Sequence, residues 1–502
     1  MRVVIVTARS LQLTPALLYK AASITTLDIE DRSSGVGKTV LCTLPPSIAF
    51  EVIGMAHRVM RFLLERRWVV RSLRAVYMYF FEEISRIRKS NPEVREIVPL
   101  AIRPSGISNL RINLLLPGIS ERHVFGGIST ALEFLEGFRD HAEDFRIIVT
   151  DESRLADAEH ARFPGWVIGT LDDPDQTGRR ILPVEDREDK ALWVGERDVF
   201  VATSWWTAHL AREILVQQHQ IHSVAAPRFI YLIQDFEPGF YPWSARYVLA
   251  QQTYRDDSAF VPVFNSRLLK DYLVQHGYVP AESLYFDPVI NSGVAQTLRE
   301  RQPERIRQVL VYGRPSVERN AFPLVVMALR HLVANYEVAD WHFVSVGEAH
   351  APVALGNDQT LSSLGKLSIE EYGNQLGRSY AGLSLMVSPH PSYPPLEMAA
   401  AGMRVVTNGF GDKDLSEWAE NIVSVADPNP AAIAMALWEQ LSSFGAGSVE
   451  GGSESEAFLQ FLNGVLDFSG IAEQALRQIS QPVESVSGAV SATISVQGNV
   501  GS

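Results

Sequence analysis

One cysteine, Cys42, stands in 502 residues. It can close no internal disulfide and supplies no zinc cluster, which suits a reducing cytoplasm, the compartment expected for this chain. No stretch approaches the roughly 18–20 consecutive apolar residues of a membrane-spanning helix. The amino terminus, MRVVIVTARSLQLTPALLYKA, starts basic but lacks a continuous apolar segment with a small-residue cleavage pattern, so no secretory signal is expected. Positive charge is in deficit: 45 Lys and Arg against 58 Asp and Glu give a formal net charge of -13. A chain so acidic has no broad basic face for nucleic-acid phosphates. No G-x-G-x-x-G follows an apolar run, which disfavours a dinucleotide dehydrogenase. SSGVGKTV at Ser33–Val40 has the end of a phosphate-binding loop, but Arg32 stands where its first glycine is required. No D-x-D pair closes a strand, so no metal cofactor is expected and cationic side chains would take its place. There is no internal repeat of solenoid type.

What is present has a clear order. Residues 1–105 form a helix-rich extension, in which HRVMRFLLERRWVVRSLRAVYMYFFEEISRIRK mixes arginines with large apolar side chains. That stretch fits a helix packed on the main body; residues 58–89 also fit a peripheral contact with an anionic membrane surface. After Arg103 and Pro104 the texture changes to short apolar runs alternating with helical patterns, the signature of parallel βαβ units in an α/β fold. Strands are expected at Asn113–Leu116, Phe145–Val149, Asp198–Ala202, Phe229–Ile233 and Phe260–Phe264, forming a half from 106 to 300. The charged stretch LRERQPERIR marks a boundary. A second half, 301–445, follows with strands at Gln308–Tyr312, His342–Val346, Leu383–Val387, Arg404–Thr407 and Ile422–Val425. Residues 446–502 read as a linker, a bracing helix and a disordered tail. Two doubly wound halves of this kind face each other across a cleft at the carboxyl ends of their strands, where ligands bind.

The residues that carry chemistry cluster at those strand ends. INLLLPGISERHVFGGISTALEF brings Gly126 and Gly127 to the start of a helix, where bare amides and the helix dipole favour a phosphate. His123 precedes them. QVLVY runs into Gly313 and Arg314, with Arg319 near the next helix start, and two guanidiniums there can clamp a diphosphate. Arginines near a helix start sit badly with the dipole unless an anion joins them. LSLMVSPHPSYPPLEMAAAGMRVVTN ends a strand in a proline-rich loop and places Glu397 on a small-residue helix, within reach of ribose hydroxyls. Gly347 and Glu348 follow a further strand end, and Leu364 and Lys366 flank Gly365 in a turn.

Through roughly Ile112 to Leu441 the chain resembles the retaining GT-B-fold glycosyltransferases, especially the rhamnan-building rhamnosyltransferases that use dTDP-rhamnose. The resemblance implies a GT-B fold with two Rossmann-like halves, a nucleotide diphosphate sugar donor and a surface polysaccharide, O-antigen or lipid-linked glycan acceptor. It assigns Gly126 and Gly127 to the donor loop, Arg314 and Arg319 to the basic pair, with Arg319 in place of a lysine, and Glu397 to the second glutamate of the E-x7-E motif. Pro389 stands where the first glutamate belongs. Sugar contacts then fall to His390, Ser392 and Tyr393, with Pro394 and Leu396 in the same donor-binding loop. The segment FIYLIQDFEPGFYPWS is similar to one in these enzymes and adds Asp235 to a catalytic set with Arg314, Arg319 and Glu397. Glu237, Tyr241 and Trp243 become acceptor contacts. A transferase using a UDP or GDP sugar, and a non-catalytic glycan-binding protein on the same body, are the competing readings.

Overall fold

The computed structural model describes residues 93–119, 126–156, 161–224, 228–255, 259–300, 304–445 and 454–480. By its internal contacts the chain divides into Met1–Glu93 and Val94–Ser502, and the described residues other than Glu93 belong to the second unit. The arginine-rich stretch, Ser33–Val40, Cys42, His123 and the tail beyond Gln481 lie outside the described residues.

The strands are β1 (Ala101–Pro104), β2 (Arg111–Leu116), β3 (Asp144–Val149), β4 (Val167–Ile168), β5 (Arg179–Pro183), β6 (Ala191–Val194), β7 (Asp198–Ala202), β8 (Phe229–Ile233), β9 (Phe260–Phe264) and β10 (Leu284–Tyr285) in the first half. The second half contains β11 (Ile306–Gly313), β12 (His342–Gly347), β13 (Val353–Gly356), β14 (Gln359–Ser363), β15 (Ser379–Leu383), β16 (Arg404–Asn408) and β17 (Ile422–Val425). The first sheet has the order β10-β9-β8-β7-β2-β3-β5-β4 and the second β13-β14-β12-β11-β15-β16-β17; β1 and β6 form a separate pair. All pairings are parallel except β13 with β14. β2, β3, β8 and β9 are buried along their whole length, as a parallel sheet covered on both faces requires.

The helices are α1 (Gly126–Glu136), α2 (Trp205–His222), α3 (Ala245–Gln252), α4 (Arg267–Gln275), α5 (Ser292–Glu300), α6 (Phe322–Asn335), α7 (Ile369–Arg378), α8 (Tyr393–Ala400), α9 (Pro430–Ser442), α10 (Glu456–Asn463) and α11 (Phe468–Ser480). The expected single bracing helix is two. α10 packs Phe458 and Phe461 into the second half, against Leu396 and Met398. α11 buries Ala472 and Ala475 in the first half, with Phe468 edge-on to Phe286 at 5.1 Å.

One expected strand is displaced. The apolar run Leu383–Val387 suggested a strand there, yet β15 ends at Leu383. Beyond it the backbone leaves the ladder: the Met386 amide donates to Asn408 Oδ1 at 2.7 Å and the Val387 amide to the Arg319 carbonyl at 2.7 Å. The run is apolar because the loop itself is buried.

The opposite ends of the first sheet are locked by charge. Asp198 accepts two bonds of 2.9 Å from Arg111 and one of 2.8 Å from Arg146, all three side chains being buried. The other ends, the carboxyl ends of the two sheets, meet each other: the segment after β8 contacts the loops after β11 and β15. Two doubly wound halves with facing carboxyl ends, tied by a terminal helix that returns to the first, constitute a GT-B fold.

Candidate active site

β8 ends at Ile233 and delivers Gln234 and Asp235 into the cleft. The Asp235 carboxylate is buried and reaches the second half. Its Oδ1 accepts the Phe236 amide at 2.8 Å and the Ser388 hydroxyl, while its Oδ2 lies 3.2 Å from Arg319 Nε. Arg319 also stacks over the Phe240 ring at 4.5 Å, so a first-half aromatic seats a second-half cation.

The loop from Ser384 to Ser392 is the floor of this arrangement. Asn408 and Lys413 hold its Met386 backbone, Lys413 Nζ donating to the Met386 carbonyl at 2.6 Å. Burial pushes the Lys413 amine down to about 7, against the pull of nearby Asp235. His390 accepts the Ser392 amide on Nδ1 at 3.0 Å. Burial lowers its pKa to about 4, so the imidazole is neutral and Nε2 carries the proton. That Nε2 is buried without a protein partner, as are Gln234 Oε1 and Asn265 Oδ1 at the ends of β8 and β9. Buried polar atoms left unpaired cost about 1–3 kcal/mol each. Two of them stand at strand ends and the third in the loop after β15, where a polar ligand would satisfy them. Ser392 has φ +72, a strained conformation for a residue with a side chain, directly before α8.

Glu397 lies on α8, 8% exposed, and accepts the Tyr372 hydroxyl at 3.0 Å. Burial raises its carboxyl to about 7, with the Tyr372 bond opposing. Tyr312, at the end of β11, is bonded to Arg314 and feels both Glu397 and Arg319. A buried carboxyl and two guanidiniums therefore border the same strand end. Close backbone approach shapes it: Gly347, at φ +117, stands opposite Gly313 in the parallel ladder, and a Cβ there would meet Arg314 Cγ at 3.1 Å.

Residues 111–267 match the WsaF N-terminal domain family and residues 307–438 the WsaF C-terminal domain family. The chain is 30% identical over 328 residues to the O-antigen biosynthesis protein RfbC of Myxococcus xanthus, which covers 64% of this chain and 24% of that protein. The chain thus spans about a quarter of the length of that relative. Similar solved structures include the sucrose-phosphate synthase of Thermosynechococcus elongatus, at 13% identity, TM-score 0.45, covering 74% of this chain and 98% of that one. A glycosyltransferase from Rickettsia africae aligns at 12% identity and TM-score 0.46, over 75% of this chain and 100% of its own.

In the segment that matches the WsaF N-terminal domain family, the glycine loop adjoins Asp235's neighbour: a Cβ on Gly127 would lie 3.1 Å from Gln234 Oε1, while Gly126 has open space. Glu237 is buried and bonded within the first half. It accepts the Trp205 amide at the start of α2 and the Tyr231 hydroxyl at 3.3 Å, and burial raises its carboxyl to about 8. Tyr241 accepts Trp205 Nε1 at 2.9 Å. Trp243 is 94% exposed and stacks on Tyr247, with ring centroids 5.9 Å apart and planes at 6°.

In the segment that matches the WsaF C-terminal domain family, Tyr393, Pro394 and Leu396 open α8 beside Glu397, and two successive prolines there remove amides that an anion would use. Glu348 binds the Ser316 amide at 3.0 Å and its hydroxyl at 2.7 Å, bracing the turn after Arg314. Leu364 and Lys366 are exposed beside Gly365, whose carbonyl accepts the Gly347 amide at 3.0 Å. Lys413, Ser388, Tyr372 and Gln234 were not legible as site residues. Ser388 stood in the quoted loop with no distinguishing neighbour, and Lys413 lies in GDKD, which reads as a solvated turn.

Proposed function

We propose that this chain transfers a sugar, L-rhamnose from dTDP-rhamnose, onto a growing O-antigen or other cell-surface polysaccharide. The observation that carries the reading is the cross-cleft group: Asp235 from one half, held by Ser388 and beside Arg319 from the other, with Arg314 and the buried Glu397 at the adjoining strand end. In this reading Arg314 and Arg319 meet the charge that develops on the departing diphosphate, without a metal. Glu397 accepts the ribose hydroxyls in its ionised form. The His390 Nε2 proton, unpartnered in the protein, is donated to a sugar hydroxyl. Pro389 leaves no glutamate at the start of E-x7-E, and Asp235 supports catalysis by bringing a carboxylate to the neighbouring Ser388. The loop's Met386, Pro389 and Pro391 favour a donor with a methyl at C-6 over one with a hydroxyl there. Closure of the halves would exclude water and favour transfer over hydrolysis. The glycan acceptor lies on the first half, where the exposed Trp243 and Tyr247 rings offer a stacking face for sugar C–H groups.

Thermal shift and calorimetry against dTDP, UDP, GDP and their sugars test the donor. A bound ligand raises the melting temperature, and selective stabilisation by dTDP compounds is expected. Preference for UDP or GDP would replace rhamnose with another hexose. Binding of none of them, together with no turnover, would leave a glycan-binding protein. Arg314→Ala should lower kcat/KM by about tenfold or more, whereas an unchanged value removes the clamp. Turnover is expected to survive chelation of divalent cations.

A further inference from the structure

We infer that Asp235 and the donor diphosphate compete for Arg319, so that donor binding moves the guanidinium from carboxylate to phosphate and frees Asp235 Oδ2 for the acceptor hydroxyl. The inference rests on the reading of Arg319 as a diphosphate-binding cation. Three observations carry it beyond that reading. Arg319 Nε lies 3.2 Å from Oδ2 but has no hydrogen bond of acceptable geometry, so the pair is an ion pair without directional support. The guanidinium rests on the Phe240 ring at 4.5 Å, a non-directional contact that holds it at the cleft while it turns from one anion to the other. Asp235, in turn, is fixed through its other oxygen, by the Ser388 hydroxyl and the Phe236 amide, and does not need Arg319 to stay in place.

The electrostatics favour exchange in one direction. The diphosphate of a nucleotide sugar carries two negative charges where Asp235 carries one, and attraction at equal distance scales with that charge. Lys413, buried behind the same loop, remains near Asp235 and offsets part of its charge after Arg319 departs. Before the donor arrives, the oxygen nearest the cation is occupied by it. Afterwards that oxygen accepts a hydrogen bond from the incoming hydroxyl. Donor and acceptor sites are thereby coupled through one side chain, and the donor binds first.

The sign of one mutation separates this exchange from a bracing role. Asp235→Asn removes the competitor, so UDP and dTDP should bind about two- to fivefold more tightly, the range available to a partly exposed ion pair, while transfer slows. In an Arg319→Ala background the same change should leave the affinity where Arg319→Ala alone puts it, giving a non-additive cycle. Looser or unchanged binding in Asp235→Asn, with Arg319→Ala weakening it, overturns the competition and leaves the phosphate role intact. If Arg319→Ala does not weaken nucleotide binding, the phosphate role itself fails. Should Asp235→Asn not fold, Asp235→Ser removes the same charge with a smaller side chain and carries the same expectation. In the unmodified protein, product-inhibition patterns should report donor before acceptor, and random addition would overturn the release of Asp235.

Discussion

At the scale of single residues, burial sets the charges that the site can present. Glu397 has its carboxyl raised from the ordinary 4.5 to about 7, chiefly by desolvation. Because the folded value lies above the unfolded one, its contribution to stability is fully present below about 4.5 and is lost as pH rises through about 7. The ionised form is the one that accepts ribose hydroxyls. Affinity for a nucleotide sugar should therefore rise between about pH 6 and 8, and Glu397→Gln should flatten that rise. The same variant should melt higher than the unmodified protein at about pH 8 and nearly level with it at about pH 5. Titration calorimetry and thermal melts at matched pH check both. A pH-independent affinity would remove Glu397 from the donor site. Glu237 is the contrasting case: its carboxyl is raised to about 8, but its bonds go to the Trp205 amide and Tyr231. It braces the start of α2.

At the scale of elements, the paired strand ends of β11 and β12 are the most constrained part of the donor side. Gly347 has φ +117, which side chains rarely adopt, and it lies against Arg314 Cγ and the Gly313 carbonyl. Gly347→Ala is expected to cost about 1–3 kcal/mol from backbone strain alone. It should also displace Arg314 and weaken nucleoside diphosphate binding. Denaturant unfolding and calorimetry on one variant test both effects. Gly106→Ala is the control, since a Cβ there meets nothing within 4 Å and the residue lies outside the site. The loop after β15 illustrates how local pattern misleads: Leu385 and Met386 are as buried as strand residues, but Asn408 takes the Met386 amide and the Arg319 carbonyl takes the Val387 amide.

At the scale of the whole molecule, the two sheets are held by the cross-cleft contacts of Asp235 and by the carboxyl-terminal helices. Ala475 on α11 is fully buried against the first half. Ala475→Glu places an uncompensated charge in that contact and should cost about 3–5 kcal/mol, read as a lower melting temperature with the first half exposed to proteolysis. Protection of both halves alike would mean that α11 is dispensable. The Asp198 network locks the far ends of the first sheet, and Asp198→Asn, which leaves Arg111 and Arg146 with one charge partner fewer, should destabilise on the same scale.

Asp198–Ala202, Phe229–Ile233 and Phe260–Phe264 are strands with the bounds their apolar runs predict, because continuous burial leaves a continuous apolar signature. β5 and β6 were not anticipated, since their apolar stretches are short and lie among charged residues in GRRILPVEDREDKALWVGERD. The sequence by itself determined the two α/β halves and which charged residues stand at the strand ends, since both follow from local pattern. The tertiary structure alone decided that Asp235 meets Ser388, 153 residues away, and Arg319, that Glu237 turns inward, and that Lys413 lies beneath the loop. Those contacts join segments that share no local period, and their energy comes from charges brought together only when the two sheets face each other.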